Sequence, residues 1–151
     1  MVVIDVQNLQ ELTPVDDLPM GQWAMQALAL LDIENAELSV VIVDNEQIRD
    51  LNNTYLGRDK PTNVISFPQQ EGDGPSGDHL GDVVISIEQA AQEARDAGMT
   101  ARDRMLQLLV HGICHLTGYD HERGTDEDAK EMESVEESLF EEIVRQEQAL
   151  P

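Results

Sequence analysis

Apolar residues recur along this chain with two periods, and the switches between them mark out its elements. Val2–Gln7 is rich in β-branched residues and predicts a first strand. Met20, Trp23, Ala24, Ala27, Leu28 and Leu31 recur at helical spacing, which predicts a helix capped by Asp16 or Asp17 with Pro19 in its first turn. Leu38–Val43 is an apolar, β-branched run, the pattern of a central strand. Asp44 then caps a helix carrying Ile48 and Leu51 that ends near Gly57. Asn63–Phe67 predicts a strand closed by Pro68, and Gln69–Asp78, dense in Gly, Asp, Pro and Ser, a mobile loop. Leu80–Ile87 follows as a strand, and Ser86 with Gln89 forms a capping box for a helix stopping at Gly98. Thr100 with Asp103 opens the next helix in the same way, with Met105, Leu106, Leu109, Val110 and Ile113 facing the core. Thr125 with Asp128 caps a last helix, whose stripe is Met132, Val135, Leu139 and Ile143. The order of strands and helices predicts an α+β fold: a small mixed β-sheet with helices packed against it.

The 151 residues suit one domain, 1–151, large enough to bury a core. The single cysteine excludes an internal disulfide. No charged start followed by an apolar run opens the chain, and no stretch approaches the roughly 20 apolar residues of a membrane span. A cytoplasmic protein with no membrane partner is the expectation.

Charge changes the picture. A formal net charge of −22 should repel phosphate, since nucleic-acid binders are normally basic. The distribution is uneven, however. Residues 1–48 hold no Lys or Arg, and from Asp126 onward ten acids face Lys130 and Arg145. Between Arg49 and Thr125 lie seven basic residues (Arg49, Arg58, Lys60, Arg95, Arg102, Arg104 and Arg123) against twelve acids. Each base taken singly reads as ordinary solvated surface, while together they allow a local basic rim on an acidic body. A general acidic excess, as in salt-adapted proteins, gives the same composition.

The candidate chemistry lies in His111-Gly-Ile-Cys-His115-Leu-Thr-Gly118-Tyr-Asp-His121, which contains three of the four histidines. His111 and His115, at i and i+4, leave one helical face a turn apart. A continuing helix would carry His121 about 15 Å along the axis from His111, whereas nitrogens sharing a zinc lie within roughly 4 Å of one another. The chain must therefore turn back, and Gly118 is the residue that takes the left-handed conformation ending a helix. The segment predicts helix, glycine stop and returning loop, with His111, His115 and His121 closing on one metal. Three neutral nitrogens and no evident fourth ligand suit a catalytic zinc, whose open position takes a water with a pKa near 7. The offsets match the metzincin pattern H-E-x-x-H-x-x-G-x-x-H, but Gly112 stands where the peptidase keeps its glutamate base.

The run HGICHLTGYDH resembles the signature of the YbeY family of bacterial zinc endoribonucleases. Two further segments are similar to that family: Leu51-Asn-Asn-Thr-Tyr-Leu-Gly-Arg-Asp-Lys-Pro-Thr-Asn-Val-Ile-Ser-Phe-Pro68 and Leu80-Gly-Asp-Val-Val-Ile-Ser86. The resemblance covers most of residues 38 to 121. It implies a zincin-like fold with one Zn2+ per chain on His111, His115 and His121. It also implies a single-strand-specific endoribonuclease acting in rRNA processing, 16S rRNA 3′-end maturation and ribosome quality control. The partners implied are single-stranded RNA or rRNA and ribosome or small-subunit-associated proteins, with no DNA.

Two positions depart from the family pattern. Members commonly carry an arginine, proposed to assist catalysis, where this chain has Leu56, and Arg58 two residues on is the candidate replacement. Cys114 takes a position the family usually fills with an aliphatic residue and reads as a small buried hydrophobe rather than a ligand. Asn63, Ser66 and Phe67 belong to the family-like second segment and are candidates for the substrate groove. Phe67 is placed either to stack on a base or, the better prior for a strand aromatic, to pack in the core. His79 at the end of the loop is a further candidate near the metal, with a surface histidine the plainer reading. Asp120 and Glu122 flank the third ligand, where either can orient a histidine or act as a base. Two other functions compete. A peptide or amide hydrolase needs a base that Gly112 does not provide, and a non-catalytic, zinc-stabilised ribosome-associated factor is left open by Leu56.

Overall fold

A computed structural model describes residues 1–69, 79–118 and 125–149. Most of the predicted loop Gln69–Asp78, together with Asp120, His121, Glu122 and Arg123, lies outside the described residues. The elements run β1 (Val2–Asn8), α1 (Met20–Leu30), β2 (Ala36–Val43), α2 (Asn45–Leu56), β3 (Val64–Pro68), β4 (His79–Ser86), α3 (Ile87–Ala97), α4 (Ala101–Leu116) and α5 (Asp126–Ala149).

The strands form one mixed sheet in the order β1-β2-β4-β3. β1 and β4 both pair with β2 in parallel, and β3 closes the sheet antiparallel to β4 with Ser66 opposite Val83. Alternation along the interior strands creates two cores. Leu38, Val40, Ile42, Val83 and Ile85 share one cluster with the apolar faces of α1, α3, α4 and α5. Val43, Ile65 and Val84 point the other way and meet Ile48 of α2. Successive strand residues face opposite sides, so Phe67 falls with Ile65 in the second cluster while Ser66 faces α4.

The caps form largely as the residue types require. Asp44 accepts from the Gln47 amide, and the Gln47 side chain accepts from the Asp44 amide, a complete box. Thr125 and Asp128 make the same reciprocal pair at 3.2 and 3.0 Å. Ser86 caps α3 by accepting from the Gln89 amide at 3.2 Å, but the Gln89 side chain turns instead to Glu93, so only half the predicted box forms. The first helix differs more. Neither Asp16 nor Asp17 caps it; the N-cap is Pro19, with no side-chain bond, and Asp16 and Asp17 lie in a turn closed by Leu18 N–H to the Val15 carbonyl at 3.0 Å. A cap at Asp17 would put Leu18 in helical conformation directly before a proline, where its backbone clashes with the ring.

Strand limits shift by one or two residues. β3 includes Pro68, which an edge strand tolerates because the missing N–H faces no neighbour. β4 begins at His79, so that residue lies in a strand rather than a loop, its Nδ1 3.2 Å from Glu37 Oε2 on β2.

Candidate metal centre

α4 is the element that presents the histidines. Thr100 caps its start by accepting from the Asp103 amide at 3.1 Å. Met105, Leu106, Leu109, Val110, Ile113 and Cys114 are buried along it, so the helix cannot roll without opening the core. On the sheet side Gly112 brings the backbone into direct contact with β4 and β3. A Cβ at Gly112 would lie 2.6 Å from Val83 Cγ1 and 3.2 Å from Ser66 Oγ, and the Ser66 hydroxyl donates to the Gly112 carbonyl at 3.2 Å. The missing peptidase glutamate is therefore a packing requirement, since this face of α4 has no room for any side chain.

His111 and His115 leave an adjacent face, half-buried, with ring centroids 4.7 Å apart and planes at 83°. His111 Nδ1 lies 2.5 Å from Glu136 Oε1 of α5. A neutral histidine donating from Nδ1 to a carboxylate keeps its lone pair on Nε2, the form that ligates zinc. His115 lies in the last turn of α4, where the helix dipole favours a cation. The helix then stops as expected. Thr117 caps its end, with Oγ1 donating to the Ile113 carbonyl at 2.9 Å, and Gly118 follows at φ 111°, a conformation that favours glycine. These two imidazoles fit a zinc site by donor type and by their spacing on one face of α4. Among the described residues no third metal-ligating side chain completes a cluster with them; His121, the third predicted ligand, is outside that set.

Cys114 is fully buried, and burial, with the charge of Glu136 second, pushes its thiol up to about 12. It is a core side chain, not a thiolate ligand.

A cavity of about 540 Å³ opens beside His111 between α4 and α5, with Asn63 at its edge. The Asn63 side chain donates to both carboxylate oxygens of Glu93, at 3.2 and 3.3 Å, and Arg104 pairs with the same carboxylate at 2.9 Å. Of the candidates in the second segment, Asn63 thus lines the groove and Ser66 braces α4 from below. Phe67 instead packs edge-on against Tyr55, with centroids 5.3 Å apart, in the second core. Glu133, Glu136, Glu137 and Glu141 make the groove acidic, so backbone phosphates are disfavoured within it.

The local basic rim that the sequence allows is thin among the described residues. Arg49 pairs with Asp59, Arg104 with Glu93 and Arg102 with Glu147, while Arg102 also lies 5.0 Å over the Trp23 ring as a structural clamp. Among the described residues Arg58 and Lys60 make no ion pair. Both lie on the exposed turn after α2, which buried Asn52 holds by donating to the Lys60 carbonyl at 2.9 Å and accepting from the Arg58 amide at 3.2 Å. Leu56 is 50% exposed at the end of α2 and packs in neither core cluster.

Glu136 is the residue that reading the sequence missed. It lies four residues after Met132 and three before Leu139, both buried, so it is an acid on the apolar stripe of α5. That was the available signal.

Comparisons with known proteins bear on the family and the fold. An endoribonuclease from Syntrophotalea carbinolica named YbeY is 45% identical over 142 residues, covering 93% of this chain and 95% of that protein. One of the same name from Aquifex aeolicus is 50% identical over 109 residues, 72% of each chain. The solution structure of a Thermotoga maritima protein superposes with a TM-score of 0.68 at 26% identity, covering 99% of this chain and 94% of that one. The family model described as Endoribonuclease YbeY matches residues 5–144, and with relatives this similar over most of its length the chain belongs to the endoribonuclease YbeY family.

Proposed function

We propose that this endoribonuclease hydrolyses single-stranded RNA with one zinc ion held by His111, His115 and His121. The observation that carries the reading is the pair of imidazoles set 4.7 Å apart on the one face of α4 that leaves the core. Zinc bound there would supply a Lewis acid for a phosphoryl oxygen and lower the pKa of water. The chain's own residues do the rest. The buried face of α4 fixes the two rings in space, and Gly112 seats the helix on the sheet. Arg58, held on its turn through Asn52, is assigned to the substrate phosphate, the role left vacant by Leu56. Ribosomal RNA, including the 3′ end of 16S rRNA, and ribosome quality control are the roles that the sequence resemblance implies for this activity. The rival peptide hydrolase loses support from Gly112, because a general base cannot be carried where a Cβ would strike Val83 at 2.6 Å.

The test is cleavage of a labelled RNA, single-stranded and annealed to its complement, beside a labelled peptide. Each substrate is incubated before chelation, after it, and after zinc is restored. Cleavage of the single strand alone, abolished by chelator and recovered with zinc, is the expected result. Chelator-resistant RNA cleavage refutes the zinc role, and peptide cleavage restores the rival reading.

A further inference from the structure

We propose that Glu136 is a positioning residue for the zinc site, holding His111 in the tautomer that directs Nε2 at the ion; the proposal rests on the zinc reading above. The contact joins two elements 25 residues apart, His111 Nδ1 on α4 and Glu136 Oε1 on α5, at 2.5 Å. Neither side chain is freely solvated, with 28% and 21% of their surfaces exposed, so water competes poorly for either partner. The carboxylate does not reach the ring by chance of rotamer alone. Met132, Leu139 and Ile143 bury the same face of α5 in the shared core, and this fixes the height and rotation at which Glu136 projects.

The chemistry follows from the two ring nitrogens. A histidine has one lone pair when neutral, and an acceptor placed at Nδ1 stabilises the tautomer with that lone pair on Nε2. It also holds the ring plane. Glu133 and Glu137 line the adjacent groove and add negative potential that favours a cation over the bare site. On the apolar stripe of α5, the Glu136 carboxylate has the His111 imidazole as its hydrogen-bonding partner among the described residues. That marks it as serving the imidazole.

The test uses the full chain with Glu136→Ala and Glu136→Gln. Three quantities are read: the tautomer of His111 by nitrogen–proton NMR on metal-stripped protein, the zinc dissociation constant by chelator competition, and the melting temperature of the stripped protein. In the parent, His111 should carry its proton on Nδ1. Glu136→Ala should yield mixed tautomers and bind zinc about 10- to 100-fold more weakly. Its melting temperature should be unchanged or raised, since alanine is the best helix former. Glu136→Gln keeps an oxygen acceptor, so it should retain the tautomer and recover part of the affinity. Parental zinc affinity in Glu136→Ala, or a His111 tautomer that does not respond, overturns the proposal. A stripped protein that melts lower while binding zinc normally overturns it too, by making Glu136 structural. If the parent itself binds no zinc, the functional reading fails and the positioning role with it, and the metal-free tautomer still reports whether Glu136 orients His111.

Discussion

Gly112→Ala places a single methyl group between α4 and the sheet, and the structure says what it meets. The new Cβ would lie 2.6 Å from Val83 Cγ1 and 3.0 Å from Val83 Cγ2, so rotating the valine exchanges one clash for another. Val83 is fully buried on β4, an interior strand flanked by β2 and β3, and its backbone cannot withdraw. Overpacking of this kind costs about 1–3 kcal/mol, and with a rigid neighbour the upper half of that range applies. Replacing glycine by alanine inside a helix returns about 1 kcal/mol. The net expectation is a loss of about 1–2 kcal/mol, or a melting temperature lower by about 2–8 °C.

The single tryptophan, Trp23, is buried and reports unfolding in urea by its fluorescence. A double-mutant cycle with Val83→Ala isolates the clash. Without the valine methyls, Gly112→Ala should be neutral or stabilising, for a coupling of about 2 kcal/mol. If Gly112→Ala is stabilising in the parent, or the coupling lies within about 0.5 kcal/mol of zero, the account of why this helix carries glycine is wrong. Gly112→Glu, which recreates the peptidase spacing, should fail to fold rather than cleave peptides.

Other outcomes follow from the same structure. The Cys114 thiol, raised to about 12 by burial, should resist thiol reagents at pH 8 until the chain unfolds, and rapid native labelling would contradict its placement. Between its ordinary value near 9.0 and about 12 the folded state holds a proton that the unfolded state releases, so stability measured in urea should fall as pH rises through that window. Arg102→Ala removes the cation over Trp23 and the bond to the Asp17 carbonyl, so it should cost about 1 kcal/mol in urea unfolding while RNA cleavage persists. Because Leu56 is half exposed, Leu56→Arg should fold normally and raise cleavage, and Arg58→Ala should lower it with zinc retained; parental cleavage by Arg58→Ala would remove that residue from the mechanism.

What the sequence made legible was local. Asp44 with Gln47, Thr125 with Asp128, and Thr100 before α4 form caps because their partners sit three residues away, within reach of one turn. The apolar run of β2 announced an interior strand, and the histidine spacing announced the face on which two rings meet. Contacts across the chain were not legible. One local signal was also misread: Asp16 and Asp17 looked like caps, but the restriction that Pro19 places on Leu18 moves the helix start. Phe67 was a candidate for the groove with core packing the better prior, and strand parity puts it in the second core while Ser66 faces α4. Arg102 and Arg104 counted toward a basic rim, but partners 45 and 11 residues away neutralise them. Gly112 was readable as a missing base and not as a point of contact with Val83, and Glu136 was hidden among the acids of α5.

Zinc content of the purified chain, measured by elemental analysis beside His115→Ala, decides whether these histidines hold a metal. About one zinc per parent molecule is expected, because two imidazoles already face each other on a rigid helix and a third follows the glycine stop. His115→Ala should lose most of that metal and its RNA cleavage together, while Trp23 fluorescence reports an intact core. A variant that keeps full zinc occupancy, or one that cleaves RNA at the parental rate without it, would contradict the account.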